Sequence, residues 1–512
     1  MKKLWKKLLA VTTAVMMAIT LLPAMANANA TDGKGSVTII KNGEKSDEFL
    51  AGAKFSFYKI ASITNSEGKD WKYTVEEAYR EKLGDNGIAK NLNDLPSSAW
   101  EAEIDVLAAT NATAIKESEA SAEKTGSTGA TELPLGVYLV KETTTPAGYV
   151  ASKPFIVSVP STDNYDTAGK EGTEFIYNIT AKPKNSKMSV DKTIVNEDKT
   201  AYIGGFVEYK VETQIPKYGT EYTNPVFNIY DKMSNGLSFV NDAAHKLKVF
   251  VGGTEIVERE NTYTLATNGL SDEKTFEIQF AKAFLENKEN KGKKVEVTYY
   301  AQVNENAVYI NENSANITYQ NKPGETTDAT PSKKNVYTYG IDLTKKGDKS
   351  ADADGLDGAE FTLAAANGEM ISILVNGKKV AVNGESKGGF QTTTVEKENK
   401  NKKGKLVFKG LKAGTYTLTE TKSPSGYSLA KNPITIVITA KEDGSLADAT
   451  VDGISVKNNM TEDGVVPVGL QNKSGFNLPA TGGMGTYLFT IGGLVIMAGA
   501  ALLLIASKKR RA

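Results

Sequence analysis

Leu133-Pro134-Leu135-Gly136-Val137-Tyr138-Leu139-Val140-Lys141-Glu142-Thr143-Thr144-Thr145-Pro146-Ala147-Gly148-Tyr149 returns later in the chain as Leu411-Lys412-Ala413-Gly414-Thr415-Tyr416-Thr417-Leu418-Thr419-Glu420-Thr421-Lys422-Ser423-Pro424-Ser425-Gly426-Tyr427. Leu, Gly, Tyr, Glu, Thr, Pro, Gly and Tyr keep their places, with an aliphatic residue two positions before each glutamate. A second block precedes each copy: Leu50-Ala51-Gly52-Ala53-Lys54-Phe55 matches Leu356-Asp357-Gly358-Ala359-Glu360-Phe361. Paired blocks of this length mark a duplicated domain. Within each block apolar residues alternate and a Pro-Gly turn follows, which reads as a β-strand leading into a loop.

The same alternation, with turn residues every ten positions or so, runs through the rest of the chain and predicts an all-β architecture of tandem sandwiches. The blocks divide it into an N-terminal domain over 31–185 and a C-terminal domain over 336–460. The region 186–335 contains neither block and reads as a third domain of different internal order. The first copy has a longer middle, with helical periodicity around Val75–Leu83 and Ala99–Ile115. Residues 461–477, rich in Thr, Glu, Asp, Gly, Pro and Asn, read as a linker.

Composition narrows the chemistry. The chain has 512 residues, 61 Lys+Arg against 61 Asp+Glu, one His and no Cys. That balance argues against a nucleic-acid binder. Without cysteine there is no disulfide, Cys-ligated zinc, iron–sulfur cluster or thiol nucleophile, and a single histidine (His245) provides no metal cluster. Asp348, Asp352, Asp354 and Asp357 resemble a calcium loop but lack its closing glutamate, so they read as a solvated loop. No metal or other cofactor is expected.

Both ends carry addresses. Lys2, Lys3, Lys6 and Lys7, an apolar run from Leu8 to Leu22 and small residues up to Ala30 make residues 1–30 a secretory signal. At the other end, over 478–512, Leu478-Pro479-Ala480-Thr481-Gly482 precedes an apolar stretch long enough to span a bilayer and a basic tail, Lys508-Lys509-Arg510-Arg511. This arrangement resembles the cell-wall sorting signal of Gram-positive surface proteins. The resemblance implies that a membrane sortase cleaves between Thr481 and Gly482 and passes the Thr481 carbonyl to an amine, so the membrane is met only transiently. Both removed ends are basic and free of acids, which leaves 53 basic residues against 61 acidic ones in the processed chain.

Charged residues fall where the alternation demands core. Tyr138, Val140 and Glu142 share one strand face, as do Tyr416, Leu418 and Glu420. Val37, Ile39 and Lys41 share another, as do Ile341, Leu343 and Lys345; near the end of the last domain Ile454, Val456 and Asn458 alternate likewise. Burial lowers a lysine pKa and raises a carboxylate pKa. A neutral amine beside a protonated carboxyl and an asparagine amide can expel ammonia and form an isopeptide bond.

With these features the whole chain resembles the backbone (major) pilins of Gram-positive bacteria, whose E-box is matched by the blocks ending in Tyr149 and Tyr427. The resemblance implies immunoglobulin-like domains of collagen-adhesin B-type, A-type and B-type order. It implies autocatalytic bonds Lys41–Asn185 with Glu142, Lys192–Asn313 with Asp231, and Lys345–Asn458 with Glu420, with Asn316 and Asn321 as neighbours of the middle asparagine. The pilin motif is matched by Lys182-Pro183-Lys184-Asn185, in which Lys182 stands where the family has Tyr. Lys184 is therefore the expected acceptor of Thr481 from the next subunit, and Lys182 the alternative. Strand alternation turns Lys184 and Asn185 to opposite faces. Implied partners are a sortase, identical subunits, minor or tip pilins and peptidoglycan. The expected function is structural, not enzymatic: a pilus shaft subunit, the alternative being a monomeric wall-anchored adhesin with these domains as a stalk.

Overall fold

The computed structural model describes residues 33–475, apart from 67–69, 84–103, 105, 163–174, 197–198, 353, 367, 383–388, 398–399 and 461–462. Both terminal addresses lie outside the described residues.

The N-terminal unit is a sandwich. One sheet sets Lys34–Ile40 between Asn178–Ala181, which is parallel to it, and antiparallel Ser127–Pro134. The other runs Asp70–Val75, Lys54–Ser66, Gly136–Thr144, Phe155–Val159, with Lys116–Glu117 added to the second of these. Val37, Ile39, Phe55, Phe57, Tyr138, Val140 and Phe155 fill the space between. Fully burying one such side chain contributes about 1.5–3 kcal/mol. Gly136–Thr144 is apolar on its outer face too, where Val137 and Leu139 meet Ile60, Tyr79 and Leu107. Tyr79 belongs to the helix Glu77–Leu83, and residues 106–108 are also helical, so the insertion closes over the outer face of this sheet. Of the expected second helical stretch, 99–103 and 105 lie outside the described residues, and 109–115 are not helical.

The middle unit packs the sheet containing Asp191–Ile194, Phe206–Gln214 and Lys294–Val303 against one containing Phe276–Phe280, Phe227–Met233 and Ile310–Lys322. In Phe206–Gln214 every second residue is buried (Val207, Tyr209, Val211, Thr213), the period of a strand with one face on a core.

In the C-terminal unit Tyr339–Gly347 pairs with Lys400–Leu411, and the facing sheet holds Glu360–Ala365, Gly414–Lys422 and Ile434–Ala440. Here the expected linker is corrected. Val465–Asn472 is a strand, parallel to Tyr339–Gly347 over its whole length, with Val466 and Val468 in the core. The Thr, Glu, Asp, Gly, Pro and Asn content of 461–477 read as linker, yet the strand is the edge of its sheet, where the missing N–H of Pro467 is tolerated.

The units adjoin through backbone. Ser186–Lys187 pairs with Tyr149–Val150, so the first strand leaving the N-terminal sandwich binds its repeated loop. At the other junction Ala201 donates its N–H to Tyr337 and Ile203 to Gly410.

Candidate functional site

Each sandwich encloses a lysine, an acid and an asparagine. In the N-terminal unit Lys41 follows Val37 and Ile39 on the inward face and is fully buried. Its Nζ lies 3.3 Å from Glu142 Oε2 and donates to the Pro183 carbonyl at 3.2 Å. Asn185 donates through Nδ2 to Glu142 Oε1 at 2.9 Å, while the Ser152 N–H and hydroxyl each donate to Oε2 at 2.8 Å. Asn185 Oδ1 is buried without a hydrogen bond. Burial pulls the Lys41 ammonium down to about 8, against the opposing attraction of Glu142.

In the middle unit Lys192 Nζ is 2.6 Å from Asp231 Oδ2, and both residues are buried. Asn313 lies opposite Met233 on the adjoining strand. A fourth residue, which the alternation did not single out, completes this site. The Tyr299 hydroxyl donates to Asp231 Oδ2 and accepts from Lys192 Nζ, and Asn313 Nδ2 donates to it at 3.3 Å. Tyr299 occupies the buried row Val295, Val297, Tyr299, Ala301, Val303, in which an aromatic reads as ordinary core. Asp231 Oδ1 and Asn313 Oδ1 are buried without partners. Burial lowers Lys192 to about 8 and raises Asp231 above the usual carboxylate range. Asn316 points elsewhere, donating to the Tyr230 hydroxyl at 3.0 Å, and the Asn321 backbone carbonyl accepts from Ala151 at the junction.

In the C-terminal unit Lys345 is fully buried, with Nζ 3.8 Å from Glu420 Oε1, and burial lowers it to about 8. Asn458 is not part of this site. It sits exposed in the short turn Lys457–Asn459, because the strand before it ends at Ser455. Asn472 stands at the carboxylate instead, donating to both oxygens of Glu420 at 2.9 Å. Register makes the two outer sites equivalent. Lys345 pairs with Leu470, and Asn472 is two residues further; Val37 pairs with Ile179, which puts Lys41 level with Pro183, two residues before Asn185. Val466, Val468 and Leu470 lead to Asn472 as Ile179 and Ala181 lead to Asn185, a signal present in the sequence.

Outside the buried sites, Lys184 is exposed beside buried Asn185, while Lys182 is half-buried. Lys184 forms a parallel bridge with Asn42. Among the described residues no cluster of three acidic or histidine side chains could hold a metal, and none of the helices is long and apolar enough to cross a membrane. Asp348, Asp352 and Asp357 accept hydrogen bonds from Ser474, Tyr427 and Gly404 respectively.

Comparison with known proteins gives this geometry a family. Residues 35–173 and 340–452 match a prealbumin-like fold domain, 203–323 match the Cna-B-like domain of Gram-positive pilin backbone subunit 2, and 471–512 match the LPXTG cell wall anchor motif. The chain belongs to the Gram-positive backbone pilins. The pilin is 27% identical over 489 residues to a fimbrial subunit type 2 of Actinomyces naeslundii, covering 89% of this chain and 82% of the relative. It shares the fold of the T6 backbone pilin of Streptococcus pyogenes, with TM-score 0.56 at 18% identity over 87% of this chain and 99% of that one. The major pilin SpaD of Corynebacterium diphtheriae gives TM-score 0.52 at 20% identity over 86% and 98%. The description Cna-B-like falls on the middle region, where the resemblance implied an A-type domain. The pilin is a structural subunit of a surface pilus shaft anchored at the cell wall, and its anchor motif implies a sortase.

Proposed function

We propose that the three buried sites close isopeptide bonds Lys41–Asn185, Lys192–Asn313 and Lys345–Asn472, and that Lys184 is the amine joined to Thr481 of the next subunit. In each internal reaction the lysine Nζ attacks the asparagine Cγ, the Nζ–Cγ bond forms and the Cγ–Nδ2 bond breaks. The acid takes a proton from Nζ and returns one to Nδ2, which leaves as ammonia. Glu142 stands ready for both transfers, with Oε2 toward Lys41 and Oε1 toward Asn185 Nδ2. Burial favours the neutral amine that attack requires at all three sites, and at the middle site it also favours the neutral acid. Each site reacts once, so the chain is modified and does not turn over.

By analogy with a disulfide closing a loop of this size, each bond adds about 5 kcal/mol. The mechanical effect is larger. Each bond links the strand near a domain's start to the strand near its end, so tension passes along a covalent route and cannot peel the sandwich open. The bond from Thr481 to Lys184 carries that route into the next subunit. Minor or tip pilins and peptidoglycan would be joined by the same acyl transfer.

One observation carries the choice of polymerising lysine: Lys184 is exposed beside buried Asn185, so one residue can seal the domain while its neighbour accepts a new subunit. In a strain assembling the pilus, Lys184→Ala is expected to abolish the high-mass ladder on denaturing gels and Lys182→Ala to leave it intact. A ladder that survives Lys184→Ala would transfer the role to another lysine.

A further inference from the structure

When the two outer domains are aligned on their reactive lysines, three more residues coincide. A glycine follows each lysine by two positions (Gly43, Gly347), and an acid follows by seven (Glu48, Asp352). A tyrosine follows each site glutamate by seven (Tyr149, Tyr427). The structure brings all three together. The Tyr149 hydroxyl donates to Glu48 Oε1 at 2.6 Å, and the Tyr427 hydroxyl to Asp352 Oδ2 at 2.5 Å. Both tyrosines are buried, at 8% and 7% exposure, Tyr149 in a two-residue strand and Tyr427 at an isolated bridge.

The backbone of each tyrosine faces the other reacting strand. Tyr149 pairs with Lys187, two residues beyond Asn185; Tyr427 bridges to Ser474, two residues beyond Asn472. The glycines leave room for the acids. A Cβ on Gly43 would fall 2.3 Å from Glu48 Oε2, and one on Gly347 would fall 2.3 Å from Asp352 Oδ2 and 2.7 Å from the Tyr427 ring. Distances that short are sterically forbidden, so a side chain there would displace the acid.

We propose that Tyr149 and Tyr427 are positioning residues for the bond-forming reaction, each clamping the lysine strand to the asparagine strand, with Glu48 and Asp352 as anchors of their hydroxyls. The proposal rests on the reading that these sites form isopeptide bonds. Each tyrosine sits at the end of a loop whose other end carries the catalytic glutamate, so one loop holds all three reacting groups in register. Attack by a buried amine on an amide needs near-contact geometry, and misplacement by about 1 Å costs roughly a hundredfold in rate. The sequence of the middle domain lacks the repeated block; there the Tyr299 hydroxyl joins acid, amine and amide directly.

The test uses the full-length chain, sampled at intervals after synthesis, with the Lys345–Asn472 and Lys192–Asn313 cross-linked peptides quantified in the same digest. Tyr427→Phe and Asp352→Ala are expected to slow closure of the C-terminal bond at least about tenfold and leave the middle bond unchanged. Asp352→Asn, whose Oδ1 still accepts the hydroxyl, restores the wild-type rate. In a Lys345→Ala background, where no bond can form, Tyr427→Phe is expected to lose some stability with the hydroxyl's hydrogen bond but still to show a cooperative unfolding transition of the C-terminal domain, so that slowed closure in the bond-competent chain reads positioning and not failure to fold. Closure at the wild-type rate in Tyr427→Phe, failure of Asp352→Asn to rescue, or loss of that cooperative transition in the Lys345→Ala background overturns the proposal alone. Absence of the cross-linked peptide from the wild-type chain overturns the bond reading and the proposal with it.

Discussion

Asn472 donates its side-chain amide to both oxygens of Glu420, at 2.9 Å each, from the last residue of the strand parallel to the lysine strand. Asn458, exposed in a turn, touches neither Glu420 nor Lys345 among the described hydrogen bonds. Replacing Asn472 with Ala should therefore remove the C-terminal bond, raising the intact mass relative to a fully bonded chain by the about 17 Da of retained ammonia, after correction for the substitution. Asn458→Ala should keep the bond. The reverse pattern would return the electrophile to Asn458.

Tyr299 touches all three reactive groups of the middle site. Tyr299→Phe keeps the ring packing against Phe276 and Tyr209 and deletes only the hydroxyl. Digests should then show slower Lys192–Asn313 closure while the outer bonds form normally. Equal rates for all three would reduce Tyr299 to a packing residue.

The buried amine also links stability to pH. In Asn185→Ala no N-terminal bond can form, and Lys41 remains in the fold at about 8 against 10.5 when unfolded. Between those values the unfolded chain holds a proton that the folded chain has lost, so stability rises with pH across the window; below about 8 the penalty is full and constant. Buried tyrosines oppose the trend near and above pH 10, so the comparison belongs between pH 8 and 9.5. Relative to Lys41→Met/Asn185→Ala, the Asn185→Ala chain should gain thermal stability over that range. A flat difference would show that the lysine is not desolvated.

How much of this was legible follows from what alternation can encode. The duplicated block revealed two related sandwiches, and the inward rows Val37-Ile39-Lys41 and Tyr138-Val140-Glu142 put charges in the core because strand period fixes the face. Alternation does not say where a strand stops. Ile454, Val456 and Asn458 alternate, yet Ile454 is 72% exposed and the strand ends at Ser455. Conversely, the Pro467 segment read as linker although it supplies the edge strand and the reactive amide. Tyr299 was hidden because a hydroxyl in an apolar row looks like packing. Glu48 was passed over and Asp352 read as part of a solvated loop, although it is buried against Tyr427, because acids outside strands carry no periodicity, and only their common distance from the lysines reveals them.

The central claim is that each sandwich is closed by its own lysine–asparagine bond, and intact mass of the processed chain tests it most directly. The expected mass lies about 51 Da below that of the sequence, one ammonia for each of three bonds. Digestion should yield Lys41–Asn185, Lys192–Asn313 and Lys345–Asn472 as cross-linked peptides. A mass equal to that of the sequence, with all six residues recovered in linear peptides, would contradict it.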